Sequence, residues 1–135
     1  MPSTTKKKYT YAVGRRRSAV VTVKLFPGTS ASEINSKSLE KYFPDDLAKD
    51  IYNLPQEVTK TAQKFYFVAK AIGGGKMGQL KALALAISRA LLKTDPDFRL
   101  PLRQAGLLTV DSRQRQRRMV GTGGKARRQK QSPKR

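Results

Sequence analysis

The chain has 135 residues and carries 29 Lys and Arg against 9 Asp and Glu, a formal net charge of +20 with no His to add to it. With no Cys and no His, disulfides, thiolate or imidazole metal sites, Cys nucleophiles and His-based acid–base chemistry are all excluded. The length fits one domain, and the charge asks for a polyanionic partner: nucleic acid leads, and an anionic membrane surface is a distant second.

Residues 1–8 are a basic arm with Lys6, Lys7 and Lys8. No apolar signal core follows them, so no secretory signal is expected. Tyr9 to Val13 alternates aromatic and small residues and predicts a short strand, and Gly14 to Arg17 predicts a basic turn. Ser18 to Phe26 predicts a second strand, with Ala19, Val21, Val23 and Leu25 on one face and Thr22 and Lys24 on the other. Val20 and Phe26 imply that this other face is partly covered. Pro27-Gly28 is a turn, Glu33 to Asn35 a short strand, and Leu39 to Phe43 a helical turn stopped by Pro44. Asp45 and Asp46 start a helix with Leu47, Ile51 and Leu54 on one face and Pro55 at its end.

Phe65 to Ile72 is apolar on both faces apart from Lys70, which predicts a central, covered strand. Gly73-Gly74-Gly75 breaks it. Leu80, Leu83, Ala84, Ile87, Ala90 and Leu91 then recur at helical spacing through Lys93, with Lys81, Ser88 and Arg89 off the stripe. The longest apolar run there, Ala82 to Ile87, is far short of a membrane span. Asp95-Pro96 reads as the cap and first-turn proline of another short helix, with Phe98, Leu102 and Ala105 on its buried side and Gly106 closing it. Leu107, Leu108 and Val110 form a last apolar patch. The sum is an α+β chain: a two-layer sheet-and-helix domain over residues 9–111, without internal repeats, followed by a long extended tail over 112–135.

The charge sits at the two ends. Residues 1–24 hold seven basic groups and 112–135 hold ten, with no acid in either, while the middle has a net charge of only +3. The tail has Met119, Val120 and Ala126 as its apolar side chains and no aromatic. Ordering a residue costs about 1–2 kcal/mol of backbone entropy, so this stretch does not fold alone. It is expected to order on a polyanion. A solubilising tail would usually mix signs or be acidic, so pure Arg and Lys favours RNA or DNA.

Three constellations invite chemistry. Gly73 to Gly78 follows a strand and opens a helix, a context that suits phosphate binding through backbone N–H groups and Lys76. A Walker-type loop needs Ser or Thr after the lysine, and Met77 stands there, so a plain glycine turn and an RNA-phosphate contact are equally good readings. The carboxylate pairs Asp45/Asp46 and Asp95/Asp97 both lie at predicted helix starts, where capping explains them better than catalysis. Arg15, Arg16 and Arg17 have no acid anywhere in residues 1–32 to neutralise them, and guanidinium forks match phosphate oxygens, so the turn is assigned to phosphate. Tyr9 and Tyr11 either stack on bases or pack in the core, and alternation favours the core.

The pattern Tyr11, Gly14-Arg15-Arg16-Arg17-Ser18, Ala19, Val23, Leu25, Pro27-Gly28 resembles the opening of the universal small-subunit ribosomal protein nine family. Gly73-Gly74-Gly75, Gly78-Gln79, Arg89 to Leu92, Asp95-Pro96, Arg99, Arg103, Ala105-Gly106, Leu108-Thr109, Asp111, Arg113 and Lys125 to Arg128 agree in order and spacing, from about Tyr9 to Arg135. The resemblance implies a fold like domain two of small-subunit ribosomal protein S five, with a left-handed strand–helix–strand crossover. It implies a place in the small-subunit head, bound to the 3′ domain of rRNA beside neighbouring head proteins. It also implies a tail that reaches the peptidyl-site tRNA through its last residues, Lys134 and Arg135. Pro133 interrupts the family's usual ending, and Gln131 stands where an aromatic is common.

The expected rRNA-binding residues are therefore Arg15, Arg16, Arg17, Lys76, Arg113, Arg115, Arg117, Arg118, Lys125, Arg127, Arg128 and Lys130. No cofactor, metal, small-molecule substrate or membrane is expected, and no catalysis. The expected location is the ribosome, in bacterial cytoplasm, plastid stroma or mitochondrial matrix. The rivals are a generic DNA- or RNA-compacting basic protein and an RNA-processing factor on a related fold.

Overall fold

In the computed structural model, which describes residues 8–121 together with 133 and 134, alternating side chains in the first two strands set up the sheet. Strand β1 spans Thr10–Arg16 and β2 spans Ala19–Pro27, paired antiparallel from Thr10 opposite Leu25 to Arg16 opposite Ala19. Ala19, Val21, Val23 and Leu25 are buried, as their alternation predicts. Two further short strands follow, β3 (Glu33–Ile34) and β4 (Lys37–Ser38), then helices α1 (Leu39–Tyr42) and α2 (Asp46–Val58). Strand β5 spans Phe65–Ile72, helix α3 spans Lys76–Thr94, and a turn of 3-10 helix at Pro96–Phe98 leads into α4 (Arg99–Gln104).

The sheet has five strands in the order β1-β2-β5-β3-β4. Strand β5 is central: it pairs antiparallel with β2 and parallel with β3. The parallel pair is joined through α1 and α2. Helix α3 lies against β1 and β2 on one face of the sheet, and α2 packs beside α3. The fold is thus an α+β sheet layer under a helix layer, as the sequence predicts.

Several local expectations are corrected. β1 continues through Gly14, Arg15 and Arg16, and only Arg17 and Ser18 form the turn. Gly14 belongs in the strand because α3 comes so close that a Cβ there would collide with the Ala82 carbonyl and the Ala86 nitrogen. Strand β4 has no apolar pattern of its own. It exists because Asn35 and Ser36 take positive φ values of 49° and 63°, a two-residue hairpin turn. The Asn35 amide also brackets the Ala71 peptide, accepting from its N–H at 2.9 Å and donating to its C=O at 3.1 Å.

Pro55 does not end α2, which runs on to Val58. A proline loses one ladder bond, and here its own carbonyl closes the last turn by accepting from the Thr59 N–H and hydroxyl. The helix buries Ala48, Tyr52, Pro55 and Gln56 rather than the leucines, and Leu47 is 66% exposed. Two apolar stripes compete on this helix, and the one carrying the Tyr52 ring, beside Phe43, is the one buried. In α3 the apolar stripe is buried as predicted, but Ser88 is buried too, its hydroxyl donating to the Ala84 carbonyl at 2.8 Å. Leu102 and Phe98 pack inward, whereas Ala105 and Val110 are exposed. Strand β5 is covered on one face only: Phe67, Ala69 and Ala71 are buried, while Val68 and Ile72 are open.

Candidate nucleic-acid interface

One end of the molecule gathers the β1–β2 turn, the glycine loop before α3 and the root of the tail. The turn is a two-residue hairpin whose first central residue, Arg17, has φ 55°. An L-residue in that conformation is strained by about 1 kcal/mol or more, and glycine would relieve it. The glycine loop abuts the turn. Gly73 and Gly74 have φ values of 71° and 64°, and a Cβ on Gly74 would lie 2.9 Å from the Ala19 methyl. These glycines are therefore required by packing against β2.

Lys76 is turned to its own chain: its ammonium sits 3.2 Å from the centre of the Tyr42 ring. The Tyr42 hydroxyl donates to the Gln79 side chain, which in turn donates to the Gly73 carbonyl. The arrangement favours the plain-turn reading of this loop. Of the two acidic pairs, Asp95 caps its turn by accepting from the Asp97 N–H at 3.0 Å. Asp45 occupies its helix start without a side-chain cap bond.

The arginine run divides by strand alternation. Arg15 and Arg17 are exposed, but Arg16 is only 9% exposed and faces the helix side. The premise that no acid neutralises this run is corrected: the partner is Asp111, far off in sequence. Arg16 lies 3.4 Å from the Asp111 carboxylate and donates to the Arg113 carbonyl at 3.0 Å. Arg113 grips the same carboxylate through Nε at 3.0 Å and Nη2 at 2.8 Å, while its backbone N–H donates to it at 3.1 Å. Gln114 then donates to the Arg17 carbonyl at 3.3 Å.

The Arg113 side-chain bonds, its backbone N–H and the nearby Arg16 charge hold the Asp111 carboxyl well below the usual carboxylate range. The same pair raises the Arg113 guanidinium above its ordinary value. Asp111 thus works as a latch that ties the start of the tail to the hairpin. Its signal in the sequence was its position, the last acid before an acid-free terminus.

Beside the latch, Arg16, Arg17, Ser18, Arg113, Gln114 and Arg115 line an open recess of about 660 Å³. Arg15 and Lys81 border a second hollow that also reaches Asp111. The structure therefore brings together Arg16, Arg17, Arg113 and Arg115 around one recess, with Arg15 at the neighbouring hollow, and Arg117 and Arg118 follow on exposed chain. Lys134 is exposed, whereas Lys125, Arg127, Arg128, Lys130 and Arg135 lie outside the described residues. Lys93 and Arg89 of α3 are engaged with the chain itself: they donate to the carbonyls of Tyr11 at 2.7 Å and Val13 at 2.8 Å along the outer edge of β1. Two cations on an open sheet edge deter pairing with another strand. Among the described residues no group of acids suited to a metal ion occurs, and no helix is long and apolar enough to cross a membrane.

The family model described as ribosomal protein S9/S16 matches residues 14–135. The small ribosomal subunit protein uS9 of Methylacidiphilum infernorum is 48% identical over 113 residues, covering 84% of this chain and 83% of its own length. The uS9 protein of Maridesulfovibrio salexigens is 43% identical and covers 87% of this chain and 91% of its own length. That of Saccharopolyspora erythraea is also 43% identical, covering 81% and 71%. A match that runs from the end of β1 through the turn, the glycine loop, the central helix and the whole tail leaves one conclusion: the chain belongs to the ribosomal protein S9/S16 family.

Proposed function

We propose that this family member is a structural component of the small ribosomal subunit, bound to rRNA of the 3′ head domain beside neighbouring head proteins. The observation that carries the reading is the convergence of Arg17, Arg113 and Arg115 on one end of the globule, with Arg15 beside them in β1, where Asp111 fixes the root of the cationic tail. Guanidinium groups there grip phosphates in pairs of bonds. Arg16 acts from behind, as a positioning residue.

From that anchor Arg117, Arg118, Lys125, Arg127, Arg128 and Lys130 thread between RNA helices, and released counterions supply much of the affinity. Lys134 and Arg135 end at the anticodon stem of the peptidyl-site tRNA and help to hold it. The shape of folded RNA supplies specificity, and no bond in a substrate is made or broken. The setting is a ribosome of the bacterial or organellar type.

Gradient sedimentation of the tagged full chain tests this. It is expected to travel with the small subunit. Deleting Arg135 is expected to leave that association intact and to weaken peptidyl-site tRNA binding. Tagged protein that remains at the top of the gradient, or that follows duplex DNA instead, contradicts the subunit role. Full tRNA retention without Arg135 contradicts the tRNA contact alone.

A further inference from the structure

The face of the sheet turned away from the helices has a composition that the cationic end does not explain. Strand register places its side chains in rungs. Arg15, Val20 and Ile72 form one, Val13, Thr22 and Lys70 the next, and Tyr11, Lys24 and Val68 a third. Glu33 of β3 extends the third rung. Beyond it lies a row of rings. Phe26 and Tyr66 stack with centroids 5.3 Å apart and planes 14° from parallel, and Tyr9 is 5.5 Å from Phe26. The Lys24 ammonium lies 5.2 Å from the Tyr9 ring centre. No described element covers this face. Tyr9 and Tyr11 are each 47% exposed and Ile72 is 58% exposed. Exposed apolar surface in a strip of this kind marks a contact.

We infer that this open sheet face binds an unpaired segment of RNA, its bases against Tyr9, Tyr11 and Tyr66 and its phosphates on Arg15, Lys24 and Lys70. This rests on the rRNA reading above and extends it to a second surface. Charge complementarity selects the occupant. Strands β1, β2 and β5 contain no acid, and Glu33 sits at the far side on β3. An apolar protein partner would leave Arg15, Lys24 and Lys70 in its interface without counter-charges. A single strand offers flat base faces and phosphates in alternation, which matches rings interleaved with cations. An intact duplex hides its base faces and cannot use the rings. Arg15 of this face also borders the hollow that reaches Asp111, so cations run from the tail root toward the sheet.

Two measurements on the full chain test this. The first is binding of a short oligouridine and of an RNA duplex of equal length, at high salt, to the parent and to the double variant Tyr11→Ala with Tyr66→Ala. Stacking of a base on an aromatic side chain survives salt, so the variant is expected to lose about tenfold or more for the single strand and to keep its duplex affinity. Leu100→Ala, at a side chain exposed elsewhere, is expected to change neither. Far-UV circular dichroism confirms that each variant is folded. Equal losses for both RNAs, or no loss, overturn the inference.

The second places a benzophenone side chain at position 11 in assembled small subunits. The expected adduct is with rRNA, and an adduct with a neighbouring protein overturns the inference. Sedimentation keeps the two failures apart. A chain that travels with the subunit but crosslinks to protein retains the rRNA role and loses only this surface. A chain that does not travel with the subunit loses the role itself.

Discussion

Arg17 occupies a turn position that an L-residue fills only under strain, φ 55°, where glycine would be at ease. Strain kept at an exposed cation points to use of the cation. Arg17→Gly is therefore expected to raise stability by about 0.5 kcal/mol, the relief of left-handed strain less the greater freedom of an unfolded glycine. The same change is expected to weaken rRNA binding, with one phosphate contact fewer in the salt slope. Urea titration and filter binding read the two effects, and a variant both less stable and equally tight contradicts the assignment.

Asp111→Asn separates positioning from contact. It removes the charge that holds Arg16 and Arg113, so rRNA affinity is expected to fall several-fold, while the salt slope does not flatten, because no cation is lost. Affinity equal to the parent's contradicts the latch. The sign with pH follows from the depressed carboxyl. Its contribution is complete above the ordinary value of about 4 and fades only as pH falls through the lower, folded value. The Arg113 Nε–H resonance is thus expected to stay fixed between about pH 7 and 5. The three arginines were legible as cations in the sequence, but their directions were not. Alternation along β1 sends Arg16 inward, and its partner lies 95 positions away in the sequence.

At the scale of elements, α3 carries the core. Leu80, Leu83, Ile87 and Leu91 are essentially inaccessible, and Ala82 and Ala86 let the helix close on β1 at Gly14. A helix read as one-sided is in fact enclosed, because α2 covers the side that the sheet does not. Ser88 and Arg89, both off the apolar stripe, therefore differ sharply. Ser88→Lys buries an unpaired charge and is expected to prevent folding, whereas Arg89→Ala removes an exposed bond to the Val13 carbonyl and is expected to cost about 1 kcal/mol or less. Thermal unfolding distinguishes them, and similar melting temperatures contradict the enclosure.

Strong periodicity made β2, β5 and α3 readable to within a few residues. The C-terminal end of α2 and the existence of β4 were not readable. The turn after Pro55 is closed by Thr59, which the apolar pattern does not reveal, and the Asn-Ser hairpin depends on bonds to Ala71, far along the chain. The openness of one face of β5 was hidden for a similar reason: an apolar side chain does not state whether its partner is inside the molecule.

For the whole molecule, a nearly neutral centre separates two cationic ends, and folding brings the first of them against the root of the second. Composition alone made this division visible. The meeting point needed the tertiary fold, since Asp111 joins Arg16 across 95 positions of chain. The most direct measurement is the salt dependence of rRNA affinity for the full chain and for a chain ending at residue 116. That truncation keeps the latch and removes eight cations. With half of them on phosphates, the log–log slope is expected to flatten by about 3 units, at roughly 0.7–0.9 per contact. A truncated chain with the parent's slope would contradict the tail's role as a phosphate binder.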